Sequence, residues 1–237
     1  MLQIIQSKHL ENILSKEQIK MFANLQIILK KLNKISNLTK LLEGNDYWIS
    51  HVYDSVWPLL EDSKTSFDKV RFIDIGSGCG FPGLAYAITH PHSEVYLVDS
   101  SKKKTEALKN IVKEMNFKNK IFVIKDRIEN LAYNSIYRNN FNLCTVRAVS
   151  TPSTVAEYSL PLLKKTGCGI IYCGRWGIED QKKLQNALFK LKGSIKNIKH
   201  TLLPENKGER HAIFIEPKEI CPKIYPRLNG KPAKYPL

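Results

Sequence analysis

Three glycines at alternate positions follow an acid in Asp74-Ile75-Gly76-Ser77-Gly78-Cys79-Gly80-Phe81-Pro82-Gly83. Glycine tolerates positive φ and puts no Cβ between the backbone and a ligand, so such a loop can lie directly against a bound molecule. It follows an apolar run and opens a helical pattern, whose free N–H groups suit an anionic or polar ligand. Pro82 fits the first helical turn, where no N–H partner is needed. The next apolar run ends at Asp99, where a carboxylate can accept from two ribose hydroxyls. A third run leads into Lys125-Asp126-Arg127-Ile128-Glu129. There Ile128 can pack on a purine, and Asp126, Glu129 or backbone oxygens can accept from its amino group; taken alone, this stretch reads as a solvated charged turn.

Two cofactor classes use this arrangement. Gly78-x-Gly80-x-x-Gly83 satisfies the dinucleotide fingerprint, so a nicotinamide or flavin enzyme is one reading. Asp74 speaks against it, because a carboxylate beside a pyrophosphate is repelled; the same carboxylate suits the amino group of a methionine moiety. The acid-x-Gly-x-Gly-x-Gly spacing is that of methyltransferase cofactor loops, and S-adenosylmethionine is the preferred cofactor. A tight turn that binds nothing would have little reason to carry glycines that cost backbone entropy.

The fourth run ends in Thr145-Val146-Arg147-Ala148-Val149. It holds no Asn/Asp-Pro-Pro-aromatic element for an exocyclic amine. For pyrimidine C5 chemistry the thiols are badly placed, Cys144 inside the run and Cys221-Pro222 far along the chain. A ring nitrogen such as guanine N7 already has a free lone pair and needs alignment rather than a base. The expected rate profile is nearly flat from about pH 6 to 9, with His51 the first base to test if it is not. Arg147 can bind a cofactor carboxylate or an RNA phosphate; a structural ion pair is the alternative.

Elements must bring these segments together. Residues 15–36 read as an amphipathic helix, with Ser15 and Gln18 at capping-box spacing and Ile19, Phe22, Leu25, Leu29, Leu32 and Ile35 on one face. A second helix covers about 46–60 and ends near Pro58. Strands are expected at 70–75, 94–98, 120–124, 142–146, 168–173 and 210–215, with helices at 82–90, 101–116, 152–165 and 179–191. The alternation predicts an α/β fold with a mostly parallel, Rossmann-like sheet. Residues 1–66 form a helical extension, 67–217 the core and 218–237 a basic, proline-containing tail.

The apolar fraction, 43%, is enough for such a core and too high for disorder. No apolar run nears the roughly 18–20 residues of a membrane span, and residues 1–20 lack a secretory pattern. The five cysteines form no C-x-x-C pair, which argues against a disulfide framework and a zinc site; no metal is expected, and a reducing cytoplasm is. The net charge of +15 favours nucleic acid as partner, although a lysine-rich chain can also reflect genomic base composition. Residues 182–200 carry Lys182, Lys183, Lys190, Lys192, Lys196 and Lys199 without an acid, and 217–237 are nearly as one-sided. These stretches are the better candidates for phosphate contact.

Asn37-Leu38-Thr39, His51-Val52-Tyr53-Asp54-Ser55, the Asp74–Gly83 loop, Arg147-Ala148-Val149, Pro161-Leu162-Leu163-Lys164-Lys165-Thr166-Gly167, Glu209-Arg210-His211 and the tail motifs Tyr225-Pro226-Arg227, Gly230-Lys231-Pro232 and Pro236-Leu237 resemble one family over nearly the whole chain. It is the bacterial glucose-inhibited division protein B, or RsmG, family of 16S rRNA guanine-N7 methyltransferases. The resemblance implies a class I S-adenosylmethionine-dependent fold, and 16S rRNA or a small ribosomal subunit particle as partner. No membrane is expected, and no stable protein partner is implied. Carried over by position, it places Gly76 and Phe81 at the cofactor, then Asp99, Ser100 and Ser101, with Ile128 and Glu129 at the adenine and Arg147 at the fourth strand. Cys79 stands at a loop position that is small or Pro in much of the family.

Overall fold

The computed structural model describes residues 8–62, 70–228 and 230–237. Residues 1–7 and the expected boundary at 66/67 lie outside the described residues. A short helix α1 (Lys8–Glu11) precedes α2 (Lys16–Ser36). Ser15 caps α2 reciprocally: the Gln18 N–H donates to Ser15 Oγ at 3.2 Å and the Ser15 N–H to Gln18 Oε1 at 2.9 Å. Phe22, Leu25, Ile28, Leu29 and Leu32 are buried on its apolar face, whereas Ile35 is exposed. The single helix expected over 46–60 is instead a succession: α3 (Gly44–Tyr47), a π-helical stretch (Trp48–Tyr53), α4 (Asp54–Val56) and a 3-10 turn (Trp57–Asp62). Pro58 continues this path because it falls at the start of a new turn, where no N–H partner is required.

From there the chain alternates: β1 (Arg71–Ile75), α5 (Gly83–Thr89), β2 (Glu94–Asp99), α6 (Lys102–Met115), β3 (Lys120–Lys125), α7 (Ile128–Leu131), β4 (Phe141–Arg147), α8 (Pro152–Ser159), β5 (Leu163–Cys173), α9 (Ile178–Leu191), β6 (Gly193–Leu202), β7 (Glu209–Pro217) and α10 (Lys231–Lys234). The sheet order is β3-β2-β1-β4-β5-β7-β6. Its first five strands are parallel, and β7 runs antiparallel to both β5 and β6. The direction of the strand order reverses between β1 and β4, which opens a crevice at their carboxyl ends.

Two further expectations need correction. The helix expected over 152–165 stops at Ser159, passes through a 3-10 turn at Leu160–Leu162, and becomes β5 at Leu163; Pro161 cannot continue an α-helical ladder. The strand β6 falls where only a basic stretch was expected. It is an edge strand with a register shift between Ile195 and Asn197, so its half-buried Ile195 and Ile198 stand three apart and break the period of two.

The central strands of the sheet are buried on both faces, whereas the edge strands β3 and β6 are half-buried or exposed. Phe72, Val95 and Leu97 join α2, α5 and α6 in one core, and Ile73, Ile75 and Val98 join α7, α8 and α9 in the other. Neighbouring strand residues thus point to opposite cores, and each fully buried Leu or Ile stabilises the fold by about 1.5–3 kcal/mol. No helix among the described residues is long and apolar enough to cross a membrane.

Candidate functional site

The glycine loop leaves β1 and folds over its carboxyl end. The N–H groups of Gly76 and Ser77 both donate to Val98 O, at 2.8 and 3.0 Å. Gly76, Gly78 and Gly80 have φ of 71°, 56° and 106°, a region that L side chains rarely adopt. A Cβ on Gly76 would lie 2.4 Å from Val149 Cγ2, whereas one on Gly78 would meet nothing nearer than 3.7 Å. Gly78→Ala therefore isolates the backbone cost, roughly 1–2 kcal/mol of stability, and Gly76→Val adds a steric clash. We expect Gly76→Val to lose ligand binding at the loop and Gly78→Ala to keep most of it, read by calorimetry on folded protein. Equal retention would remove Gly76 from the site.

Asp74 was expected to meet a ligand's ammonium; its carboxylate is instead fully buried beneath the loop. It accepts from the Gly83 N–H at 3.1 Å and from Thr145 Oγ1 at 2.7 Å. Burial raises this carboxyl to about 6, against hydrogen bonds from Thr145 and Ser77 that lower it. Asp74 thus ties the end of the loop to β4.

Asp99 closes the other side. Its Oδ2 accepts from the Gly78 N–H at 3.0 Å and its Oδ1 from the Ser101 N–H at 2.9 Å. A carboxylate offers about four lone-pair sites, so two remain for a ligand. Between loop, strand end and α7 lies a cavity of about 370 Å³, whose lining includes Gly76, Asp99, Ser100, Ile128 and Glu129. Ile75, Val98 and Ile128 give it an apolar floor. Glu129, itself buried, is held by Arg127 Nη2 at 2.7 Å. An apolar floor, a carboxylate with free lone pairs and a backbone without side chains fit a nucleoside-bearing cofactor.

Three expected site residues stand apart from this lining. Ser101 caps α6, accepting from the Lys104 N–H at 3.4 Å. Phe81 is buried and stacks on His51, ring centroids 4.9 Å apart. Arg147 turns to a second cavity of about 510 Å³, lined also by Ser50, His51, Asp54, Tyr172 and Arg210. It donates to Ser50 O at 3.3 Å and Asp54 Oδ2 at 3.2 Å, and its Nη2 lies 3.3 Å from His51 Nδ1. Arg210 Nε lies 3.2 Å from Asp54 Oδ1. One buried carboxylate thus joins two guanidiniums. An arginine only donates, so His51 Nδ1 accepts from it and Nε2–H donates to Thr39 Oγ1, 3.0 Å away. Burial, and then the Arg147 charge, lower the imidazole to about 3.

The two cavities meet at Ala148, which lines both and holds φ at 56°. Such a conformation costs a non-glycine residue about 1–3 kcal/mol, and strain of this kind gathers at functional sites. The sequence pointed to neither Ala148 nor Asp54 as a meeting point, and it missed Tyr158 and Ala233 on the first cavity. Only the positions of Arg147-Ala148-Val149 and His51–Asp54 carried a signal. A third cavity, about 420 Å³ and bordered by Tyr86, His90, Ser93, Asn142 and Thr166, lies at the amino ends of the strands, opposite the end where such sheets bind ligands. His200, Glu209 and His211, on the β6–β7 pair, bring donor atoms within 4.8 Å of one another and are partly exposed; cysteine spacing gave no hint of them.

Comparison with known proteins agrees with this architecture. The crystal structure of cofactor-bound Rv0187 from MTB is similar in fold, with TM-score 0.58 and 12% identity over 84% of this chain and 90% of that one. The branched-chain polyamine synthase from Thermus thermophilus is also similar, with TM-score 0.55 and 11% identity over 71% and 57%. Two relatives from Prochlorococcus marinus strains, both named ribosomal RNA small subunit methyltransferase G, are 58% and 60% identical, covering 97% of this chain and 97% and 96% of their own length. The GidB family model, described as rRNA small subunit methyltransferase G, matches residues 16–212. Relatives of nearly full length and a family match over residues 16–212, which holds every lining residue of the second cavity and all but Ala233 of the first, lead to one assignment: the chain belongs to the rRNA small subunit methyltransferase G family.

Proposed function

We propose that the chain transfers a methyl group from S-adenosylmethionine to N7 of a guanine in 16S rRNA. The observation that carries this reading is the meeting at Ala148 of a cavity lined by Gly76, Asp99, Ile128 and Glu129 with a second cavity that faces two guanidiniums. S-adenosylmethionine, when bound, supplies an electrophilic methyl group on sulfur. Gly76 would let the backbone approach it, Asp99 would accept from its ribose hydroxyls, Ser100 would lie beside them, and Ile128 and Glu129 would bound its purine. Ser101 and Phe81 would act from behind, one by orienting Asp99 and the other by packing on His51.

The chain's own groups position rather than move protons. The His51 Nδ1 lone pair is occupied by Arg147. Asp74 is buried beneath the loop. Burial raises Tyr172 well above its ordinary range, and Tyr158 is pushed up to about 12 by burial and by Glu129. Guanine N7 bears no proton, so catalysis needs only a near-attack alignment. Arg147 and Arg210 give the second cavity a cationic wall toward an RNA phosphate or the cofactor carboxylate. The reading keeps 1–66 as helical extension, 67–217 as core and 218–237 as tail. It places the reaction in the cytoplasm, on free 16S rRNA or a small-subunit particle, without a stable protein partner.

The direct test is to incubate the protein with methyl-labelled S-adenosylmethionine and 16S rRNA, and to map 7-methylguanine in rRNA from a strain lacking it. Label on another base, or an unchanged map, overturns the reading. Asp99→Ala is expected to weaken S-adenosylmethionine binding by about 1–3 kcal/mol, the value of hydrogen bonds to a charged acceptor. For the RNA, neutralising Lys183, Lys190 and Lys196, all exposed, should lower affinity across sequences. It should flatten the salt dependence by nearly one unit per lost phosphate contact. A wild-type slope would assign those lysines to composition alone.

A further inference from the structure

The basic tail has a structural relation to the first cavity that its charge does not suggest. Arg138, in the turn after α7, donates from Nη1 to Tyr225 O at 2.9 Å and from Nη2 to Cys221 O and Pro222 O, each at 3.0 Å. On α8, Glu157 is wholly buried. It accepts from the Arg227 N–H at 2.7 Å and from the Arg227 guanidinium at 2.9, 3.2 and 2.7 Å. Also on α8, Thr154 Oγ1 donates to Pro232 O at 2.8 Å. The helix α8 supplies Tyr158 to the cavity, and α7, just before the turn that carries Arg138, supplies Ile128 and Glu129. At the end of this path Ala233 reaches the cavity itself, and Gly230 comes so near Arg127 that a Cβ there would lie 3.7 Å from Nη2.

We infer that the segment Gly230–Tyr235 is the outer rim of the cofactor cavity, latched by the Arg227–Glu157 pair, and that its docking sets cofactor affinity. This rests on the cofactor reading above and deepens it. The contacts are charge-assisted or buried, the kind that hold a segment in one place. The rim would withdraw a bound cofactor from water, and the cofactor would in turn hold the rim. Thermodynamic linkage makes the two effects equal: if docking of the rim tightens cofactor binding by a given factor, the cofactor favours docking by that factor.

The test uses the full chain and two variants. Glu157→Gln combined with Arg227→Ala opens the latch without leaving a buried charge unpaired. Ala233→Trp leaves the latch intact and fills the rim. In the wild type, S-adenosylmethionine should slow hydrogen exchange at the amides of Lys231 and of Ala233–Tyr235. In the double variant this slowing should shrink and the calorimetric Kd should rise about tenfold, with cooperative unfolding retained as the check on folding; a factor of that order is ordinary for coupled sites. Ala233→Trp should weaken binding by several-fold. Wild-type protein that binds S-adenosylmethionine with tail exchange unchanged, and variants that bind like the wild type, overturn the inference alone. Wild-type protein that does not bind S-adenosylmethionine overturns the cofactor reading and this inference with it.

Discussion

Asp54→Ala is expected to destabilise the fold by about 3–5 kcal/mol, the cost of removing one partner from a buried ion pair. The Asp54 side chain is 6% exposed, and its guanidinium partners are 14% exposed at Arg147 and 28% at Arg210. Removing the carboxylate leaves two partly buried cations facing each other without the charge between them, so the loss exceeds that of one hydrogen bond. The substitution also severs a cross-link between distant parts of the chain, since Asp54 sits on α4 while Arg147 ends β4 and Arg210 lies on β7. Urea unfolding checks it: the midpoint should fall with little change in slope if the transition stays two-state. A loss below about 1 kcal/mol would mean that both guanidiniums find water or other partners, as an exposed pair would.

Arg147→Lys is expected to keep the fold and lose most activity, roughly 30- to 1,000-fold. That range corresponds to about 2–4 kcal/mol for charge-assisted contacts that an ammonium cannot reproduce in one plane. The planar fork reaches Ser50 O, Asp54 and His51 at once. The accompanying pH profile separates positioning from proton transfer. His51, lowered to about 3, is neutral at every working pH. Asp74, beneath the glycine loop, is raised to about 6 by burial. Because its folded pKa lies above its ordinary value, its contribution to stability is complete below about pH 4 and is lost as pH rises through about 6. The single-turnover rate should therefore be flat from about pH 7 to 9. A fall below about pH 6 that disappears in Asp74→Asn would come from the loop's carboxyl, and a limb inside the flat window that tracks chemistry would reveal a base and sink the positioning mechanism.

The sequence made the parallel half of the sheet legible because each of its strands is a short apolar run followed by a helical period. It made the glycine loop legible because positive φ leaves a mark in composition. Its limits have physical causes. The irregular edge strand β6 hides its period behind lysines. Pro161 marks the end of α8, but the strand that starts two residues later begins with Leu163-Lys164-Lys165, which reads equally well as a helix end. Asp74 looked like a ligand group because a carboxylate beside a glycine loop can point either way, and only the positions of Thr145 and Gly83 decide. The tail was read by its charge, yet Arg227 is committed to a glutamate on α8. A buried Glu157 within Thr154-Val155-Ala156-Glu157-Tyr158 carries no local sign of a partner so far along the chain.

The position of β7 has a consequence for synthesis. It lies between β5 and β6, paired with both, yet it is made after either of them. A nascent chain that has emerged only as far as β6 has an open, apolar border on β5, and β6 itself has nothing to pair with. Unpaired borders of this kind invite pairing with other chains. The earlier strands can assemble while translation continues, but the sheet closes only when β7 emerges and inserts. A pause just before residue 209 would lengthen the time during which the growing polypeptide depends on chaperones.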